Sequence, residues 1–253
     1  MNFKLVIANW KMNPASLDEA ERLAKKIKTK ISKSKKTKIF LCPSALHLSA
    51  LKKIFSKTKV LLGGQNFFLE QKGSWTGRLS AEMFKKTGAD FMIIGHSEVR
   101  ALGETDEEVN LKIKEALKNK LMVVLCIGEN QRDDEGSFYL KIEEQIRLAL
   151  NGLNNKVVKN IIVAYEPVWA IGENAKSVIR NEDLQAMIIF IRKTLADRFG
   201  IKNFNSIPVL YGGSVNNRNI GNLLLSGADG FLVGRDSLKI EHFEKIIKII
   251  ENN

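Results

Sequence analysis

Short apolar runs of four to six residues alternate along this chain with longer stretches of helical periodicity. Such runs, rich in Val, Ile, Leu and Phe, are typical of strands buried on both faces in a parallel sheet. We predict eight strands, at Lys4–Ala8, Ile39–Cys42, Val60–Gly63, Phe91–Ile94, Met122–Ile127, Ile161–Tyr165, Pro208–Tyr211 and Gly230–Val233. A helix can be placed after each strand, and Ser16 with Glu19 and Thr105 with Glu108 form capping boxes at two helix starts. The pattern therefore predicts an α/β protein with helices outside the sheet.

Eight unbroken β/α units favour a closed eight-stranded parallel β/α barrel over an open doubly wound sheet. No linker rich in Pro, Ser or Gly divides the chain, so we expect residues 1–253 to form a single β/α-barrel catalytic domain. The open sheet is an alternative, but for dinucleotide binding it would need a GxGxxG turn after its first strand. The turn here is Asn9-Trp-Lys-Met-Asn13, which does not support that alternative.

The net charge of +12 raises nucleic-acid binding as a rival hypothesis. Lysines are densest between Lys25 and Lys38, in a stretch with no aromatic residue that could stack on a base. We therefore expect a solvated basic surface and no nucleic-acid partner. Its field would still speed the capture of a small anion.

The cysteines and the N-terminal residues indicate the cellular compartment of the protein. Cys42 and Cys126 are the two cysteines, and without a CxxC motif or a Cys/His cluster we expect neither a disulfide framework nor structural zinc. No apolar run approaches the ~18 residues of a membrane span. Asn9 and Lys11 stop the apolar run of Met1–Ala8 before a signal-peptide core forms. These features predict a cytoplasmic protein with no membrane partner.

The stretch Ile161–Gly172 carries the first candidate catalytic group. Glu166 stands where the predicted sixth strand should end, and Pro167 ends that strand because it has no N–H for the ladder. An exposed apolar loop, Val168–Gly172, follows. An acid at a strand tip beside such a loop indicates a lid over a site, although a Glu that caps the next helix beside a packed loop is an alternative.

Other polar residues also follow predicted strands, where a β/α barrel carries its functional groups. Asn9 and Lys11 leave the first strand two residues apart, so in an extended chain they point the same way. Lys11 would offer a positive charge to an anionic substrate, or be merely solvated. His96 follows the fourth strand and is either structural or an acid–base partner of Glu166. Glu98 would pair with Lys11 or His96, or serve as an acid at a helix N-terminus.

Two glycine-rich turns, Tyr211–Ser214 and Val233–Ser237, follow the last two strands. Barrels often hold phosphate there, because glycine lets backbone N–H groups approach an anion. Together with Glu166 and His96, the turns indicate proton abstraction next to a carbonyl in a small phosphorylated sugar.

Six stretches resemble those of one known family. They are Asn9-Trp-Lys-Met-Asn13, Gly95-His-Ser-Glu98, Cys126-Ile-Gly-Glu129, Ala164-Tyr-Glu-Pro-Val-Trp-Ala-Ile-Gly172, Tyr211-Gly-Gly-Ser214 and Phe231-Leu-Val-Gly234. Their order over the whole chain is similar to that in the triosephosphate isomerases. The resemblance implies a TIM barrel that interconverts dihydroxyacetone phosphate and D-glyceraldehyde 3-phosphate through an enediol(ate), in glycolysis and gluconeogenesis. It implies no cofactor and no metal.

The resemblance also implies residue roles. Glu166 would be the base, neutral His96 would polarise the carbonyl oxygens, and Lys11 and Asn9 would stabilise the oxyanion. The residues implied for substrate and phosphate binding are Asn9, Lys11, Gly172, Gly213, Ser214, Gly234 and Arg235, and those implied behind the catalytic groups are Glu98 and Cys126.

The loop Gln65–Leu79 carries more apolar surface than a solvated loop should expose, and the resemblance implies a homodimer formed through it. The chain departs from the family pattern at Arg78, Val99, Glu173, Asn174 and Arg235. None of these departures removes a catalytic group, but they affect the lid, the subunit packing and the phosphate rim. A phosphosugar-handling barrel with different chemistry and a catalytically silent binding protein are the alternatives. A coupled assay for glyceraldehyde 3-phosphate would separate them.

Overall fold

The computed structural model describes residues 4–31, 34–171 and 179–253. Eight parallel strands form a closed barrel in chain order, and the first strand pairs with the last. The strands are β1 (Lys4–Asn9), β2 (Thr37–Cys42), β3 (Leu61–Gly64), β4 (Phe91–Ile94), β5 (Met122–Ile127), β6 (Ile161–Tyr165), β7 (Val209–Tyr211) and β8 (Gly230–Val233). The predicted closed β/α barrel is confirmed.

Helices connect successive strands around the outside of the barrel. The α-helices are α1 (Leu17–Lys30), α2 (Ala45–Phe55), α3 (Ala81–Thr87), α4 (Ser97–Arg100), α5 (Asp106–Lys118), α6 (Ser137–Ala149), α7 (Asn181–Phe199), α8 (Ile201–Phe204), α9 (Ile220–Leu223) and α10 (Ile240–Asn252). Both predicted capping boxes are present, with Ser16 and Glu19 at α1 and Thr105 and Glu108 at α5. Across the described ranges, no helix has the length and hydropathy needed to cross a bilayer.

Strand bounds agree with the sequence prediction to within two residues. Strands β4, β5, β6 and β8 have the predicted bounds, whereas β1 extends to Asn9 and β2 begins at Thr37. Strand β7 begins at Val209 and not at the predicted Pro208, because proline has no N–H to donate to the neighbouring strand. The small shifts leave the strand ends that carry the candidate site in place.

The barrel interior is filled by alternate residues of the strands. This inner cluster consists of Leu5, Ile7, Phe40, Cys42, Phe91, Ile93, Val124, Cys126, Ile162, Ala164, Leu210 and Leu232. Because strand side chains alternate with period two, the next inward position after Ile7 is Asn9, and the next after Ala164 is Glu166. The alternation therefore brings these two polar side chains to the inner rim at the carboxyl ends of the strands.

Candidate active site

A cavity of about 260 Å³ opens at the carboxyl ends of the strands. This volume lies just below the ~300–1,000 Å³ of typical drug-sized ligand pockets, so the cavity suits a small metabolite. Among its lining residues are eight that the sequence predicted, namely Asn9, Lys11, His96, Glu166, Gly213, Ser214, Gly234 and Arg235. The fold thus gathers residues from the ends of five strands, β1, β4, β6, β7 and β8, into one place.

Glu166 and His96 face each other in this cavity, and both are buried. Glu166 Oε1 lies 3.2 Å from His96 Nε2, and the backbone N–H of Ser97 donates to Glu166 Oε2 at 3.1 Å. His96 Nδ1 accepts the backbone N–H of Glu98 at 3.2 Å. A ring nitrogen that accepts a hydrogen bond carries no proton, so His96 is a neutral imidazole with its N–H at Nε2. That N–H points at the carboxylate.

Two glycines make room for Glu166. A methyl group on Gly128 would lie 1.8 Å from the carbonyl oxygen of Glu166, and one on Gly212 would lie 2.9 Å from its Cγ. The backbone N–H of Glu166 donates to Ile127 O at 2.7 Å, which extends the β5–β6 ladder by one residue. The position of the carboxylate is therefore set by its own strand and by turns from the strands on either side.

The predicted residue Cys126 is the penultimate residue of β5 and lies in the barrel interior near Glu166. Burial, and to a lesser degree the charge of Glu166, raise the pKa of the Cys126 thiol well above its ordinary value. Cys126 therefore stays a thiol and can donate its S–H to the carboxylate.

Lys11 reaches the cavity through a turn. Its φ is 53°, its N–H donates to Asn9 Oδ1 at 3.0 Å, and its carbonyl accepts from Gln65 Nε2 at 2.7 Å. Asn9 and Lys11 share a side as expected, but through a turn immediately after β1 and not through extended alternation. Both line the cavity. Lys11 Nζ forms an ion pair with Glu98, as one of the predicted alternatives had it.

The apolar segment after Pro167 is partly packed against Glu129. Its residues Val168–Ala170 form a 3₁₀ turn, and the carboxylate of Glu129 accepts from Trp169 Nε1 at 2.9 Å and from Tyr165 Oη at 2.7 Å. Burial and the charge of Glu129 raise the pKa of Tyr165. Because Ala170 is buried, the expected fully exposed loop is wrong at this position. The predicted Gly172, Glu173 and Asn174 lie outside the described residues.

The two glycine-rich turns line the same cavity as Lys11. A methyl group on Gly234 would lie 3.7 Å from Lys11 Cε, so the β8 turn approaches the lysine side chain closely. In the β7 turn, Ser214 Oγ donates to Ala170 O at 2.8 Å. Arg235 follows Gly234 and is exposed at the rim of the cavity.

Some cavity residues were not singled out from the sequence. They are Ile171, Gly212, Val215, Asn216, Leu232, Asp236 and Lys239. The only sequence signal for Gly212 and Asp236 was their position inside the two predicted turns. No sequence pattern indicated that Gln65, at the start of the loop Gln65–Leu79, contacts Lys11.

Comparisons with known proteins agree with this geometry. The sequence profile of the family described as triosephosphate isomerase matches residues 4–250. The chain is 40% identical over 254 residues to the triosephosphate isomerase of Dehalococcoides mccartyi (strain CBDB1), with 98% of each chain covered. It is 40% identical over 250 residues to that of Rhodopirellula baltica, with 96% of each covered. The crystal structure of triosephosphate isomerase from Bartonella henselae superposes with a TM-score of 0.83 at 33% identity, covering 97% of this chain and 98% of that one. The chain belongs to the triosephosphate isomerase family.

Proposed function

We propose that Glu166 is the base that moves the proton in the reaction of this enzyme. As a triosephosphate isomerase, the enzyme interconverts dihydroxyacetone phosphate and D-glyceraldehyde 3-phosphate, a step of glycolysis. The observation that carries the assignment is the 3.2 Å contact between the Glu166 carboxylate and the neutral His96 imidazole inside the cavity. A carboxylate there takes a proton from one carbon of the triose and returns it to the neighbouring carbon, through an enediol(ate).

His96, Lys11 and Asn9 stabilise the charge that develops on the substrate oxygens in this proposal. His96 presents a donor N–H at Nε2, and Lys11 brings a fixed positive charge into the same cavity. Donors that are already in place stabilise a developing oxyanion without reorganisation. The substrate replaces the resting contacts of His96 with Glu166 and of Lys11 with Glu98.

The phosphate binds at the two glycine-rich turns in this proposal, through backbone N–H groups of Gly213, Ser214, Gly234 and Arg235. Their position in the same cavity as Lys11 supports the assignment, because backbone donors and one ammonium group together match a phosphate dianion. Gly172 stays a predicted phosphate contact, outside the described residues.

We propose in addition that two copies associate through the loop Gln65–Leu79. In this loop the rings of Phe68 and Trp75 lie 4.9 Å apart, and Trp75 is 50% exposed. Met12, next to the catalytic Lys11, is 93% exposed. Exposed apolar side chains of this size support burial against a second copy.

The remaining parts of the proposal concern organisation and location. Residues 1–253 act as one catalytic domain, which the pairing of β1 with β8 supports. The enzyme is cytoplasmic, with the triose phosphate as its small-molecule partner and neither a membrane nor nucleic acid as a partner. The free thiols of Cys42 and Cys126 are consistent with a reducing compartment.

The variant Glu166→Gln tests the assignment of the base. The amide keeps the shape and still accepts from Ser97, but it cannot take up the proton. We expect kcat in a coupled assay to fall by at least ~10²–10⁴-fold, the usual contribution of a general base, with an unchanged melting temperature. A matched control is Glu251→Gln, because Glu251 also accepts backbone N–H groups but lies beside Thr37 at the start of β2. Near-normal activity of Glu166→Gln would remove Glu166 from this role.

A further inference from the structure

A carboxylate lines the end of the cavity where the phosphate is proposed to bind. Asp236 stands in the β8 turn between Arg235 and the buried Ser237, and its side chain is 17% exposed. Like charges repel, so a carboxylate near a phosphate reduces its affinity unless the carboxylate has another role. The contacts of Asp236 indicate that role.

Asp236 joins three segments that are far apart in sequence. Its Oδ2 atom accepts the backbone N–H of Asn217, in the β7 loop, at 3.2 Å. The same oxygen lies 3.3 Å from Nδ1 of His242, on α10. The carboxylate therefore connects the β7 loop, the β8 turn and the last helix at one point.

Hydrogen bonds within the β7 loop link Ser214, Asn216 and Asn219. Asn219 Oδ1 accepts the N–H of Asn216 at 2.9 Å, and Asn216 Oδ1 accepts the N–H of Asn219 at 3.1 Å. Asn219 Nδ2 donates to Ser214 O at 2.6 Å. Ser214 thus belongs to a loop that is held by its own hydrogen bonds. The hydrogen bond from Asn217 to Asp236 connects that loop to the β8 turn.

The β8 turn is anchored in a similar way. Ser237, which is fully buried, donates from Oγ to Gly234 O at 2.6 Å, and its N–H donates to the same carbonyl at 2.9 Å. Gly234 and Asp236 are therefore parts of one tight turn. Any restraint on Asp236 also restrains the backbone donors at Gly234 relative to those at Ser214.

We propose that Asp236 is a positioning residue that fixes the spacing between the two phosphate-binding turns. The inference rests on the phosphate site proposed above. Asp236 has two effects of opposite sign: its hydrogen bond to Asn217 aligns the donors and strengthens phosphate binding, whereas its charge weakens phosphate binding. Substitutions that remove one effect at a time separate them.

Asp236→Asn removes the charge but keeps an oxygen that can accept from Asn217. We expect the KM and the inhibition constant of inorganic phosphate to fall about two- to fivefold at low salt and less at ~0.5 M salt, because salt partly screens this half-buried charge. Asp236→Ala removes the charge and the hydrogen bond. Compared with Asp236→Asn, which also lacks the charge, we expect both constants to be about fivefold higher at either salt concentration. We expect kcat within about twofold, because ground-state and transition-state binding are lost equally.

Asp229 supplies a matched control at the opposite end of the same two strands. It is also 17% exposed, accepts the backbone N–H of Val209 at 2.8 Å, and pairs with Arg192 at 2.9 Å. Asp229→Ala should lower the melting temperature and leave both binding constants unchanged. If Asp236→Ala does not fold, Asp236→Leu, which has a similar shape and no acceptor for the N–H of Asn217, replaces it in the comparison with Asp236→Asn.

The outcomes are distinguishable. Constants about fivefold higher for Asp236→Ala than for Asp236→Asn, at both salt concentrations, support the positioning role. Equal constants for the two variants, whether both lower than in the wild type or both unchanged, would show that the hydrogen bond to Asn217 has no positioning role. The proposed phosphate site would not be affected by that result. If inorganic phosphate does not compete with the substrate in the wild type, the phosphate site and this inference both fail.

Discussion

Replacing Gly212 by alanine should displace the catalytic carboxylate while leaving the rest of the site intact. A methyl group at this position would lie 2.9 Å from Glu166 Cγ and 3.4 Å from two carbons of Leu232. The first distance is about 0.6 Å shorter than the roughly 3.5 Å at which carbon atoms pack. Because Glu166 is 2% exposed and is held by Ser97 and His96, the strain falls on this proposed base.

The magnitude follows from this displacement. A shift of about 1 Å in a reacting group can cost ~10²-fold in rate, so a shift of about 0.6 Å should lower kcat about tenfold or more. KM should change less than about threefold, because the phosphate donors are backbone groups of other residues. Overpacking should reduce the free energy of unfolding by ~1–3 kcal/mol, which the melting temperature reports.

Gly221 provides the control, because a methyl group there meets no atom within 4 Å. Gly221→Ala lies on α9 and should keep full activity. Both variants are assayed by coupled oxidation of glyceraldehyde 3-phosphate under saturating substrate. If Gly212→Ala keeps kcat within about twofold of the wild type while folding normally, the carboxylate does not depend on this contact as argued.

Three further predictions concern the phosphate rim, the assembly and the thiols. Arg235→Ala should raise KM only a few-fold at low salt and hardly at ~0.5 M salt, since an exposed guanidinium acts at long range. Arg235→Pro, which removes the backbone N–H, should weaken phosphate binding at both salt concentrations. A hundredfold loss of affinity in the alanine variant that does not depend on salt would make the side chain a direct ligand. Light scattering should give a mass about twice the 28.5 kDa of one chain, and a monomer at micromolar concentration would contradict the dimer. Burial raises the pKa of both Cys42 and Cys126, so neither thiol should react with a disulfide reagent at pH 8 in the folded enzyme. The folded thiols keep their protons, whereas the unfolded ones lose them above about pH 8.5. The free energy of unfolding should therefore fall above that pH by up to ~1.4 kcal/mol per pH unit for each thiol. A free energy of unfolding that does not change with pH in this range would contradict the prediction.

The sequence predicted those parts of the fold that depend on local pattern. The two-residue alternation of β6 places Glu166 on the inner rim, and its predicted bounds, Ile161–Tyr165, are those observed. The capping boxes at Ser16 and Thr105 depend on residues only three positions apart, and both are present. In these cases short-range geometry decides the outcome.

The remaining features depend on contacts between distant residues. Lys11 adopts φ 53° in a turn closed by Asn9 and held by Gln65, which is 54 residues away. The bond from Asn217 to Asp236 crosses 19 residues, and it appears only once β7 and β8 are neighbours. No periodicity or propensity encodes such pairs, since each requires the closed barrel before the two groups can meet.

In the proposed mechanism, a carboxylate base transfers a proton between adjacent carbons of the substrate. The most direct measurement converts dihydroxyacetone phosphate in D₂O, traps the glyceraldehyde 3-phosphate by oxidation, and determines deuterium at C2 by NMR. A proton held on Glu166 between the two steps can exchange with solvent, so we expect deuterium at C2 of the trapped product. Product that forms at the normal rate with only protium at C2 would contradict an exchangeable proton on Glu166 and would favour direct hydride transfer between the carbons.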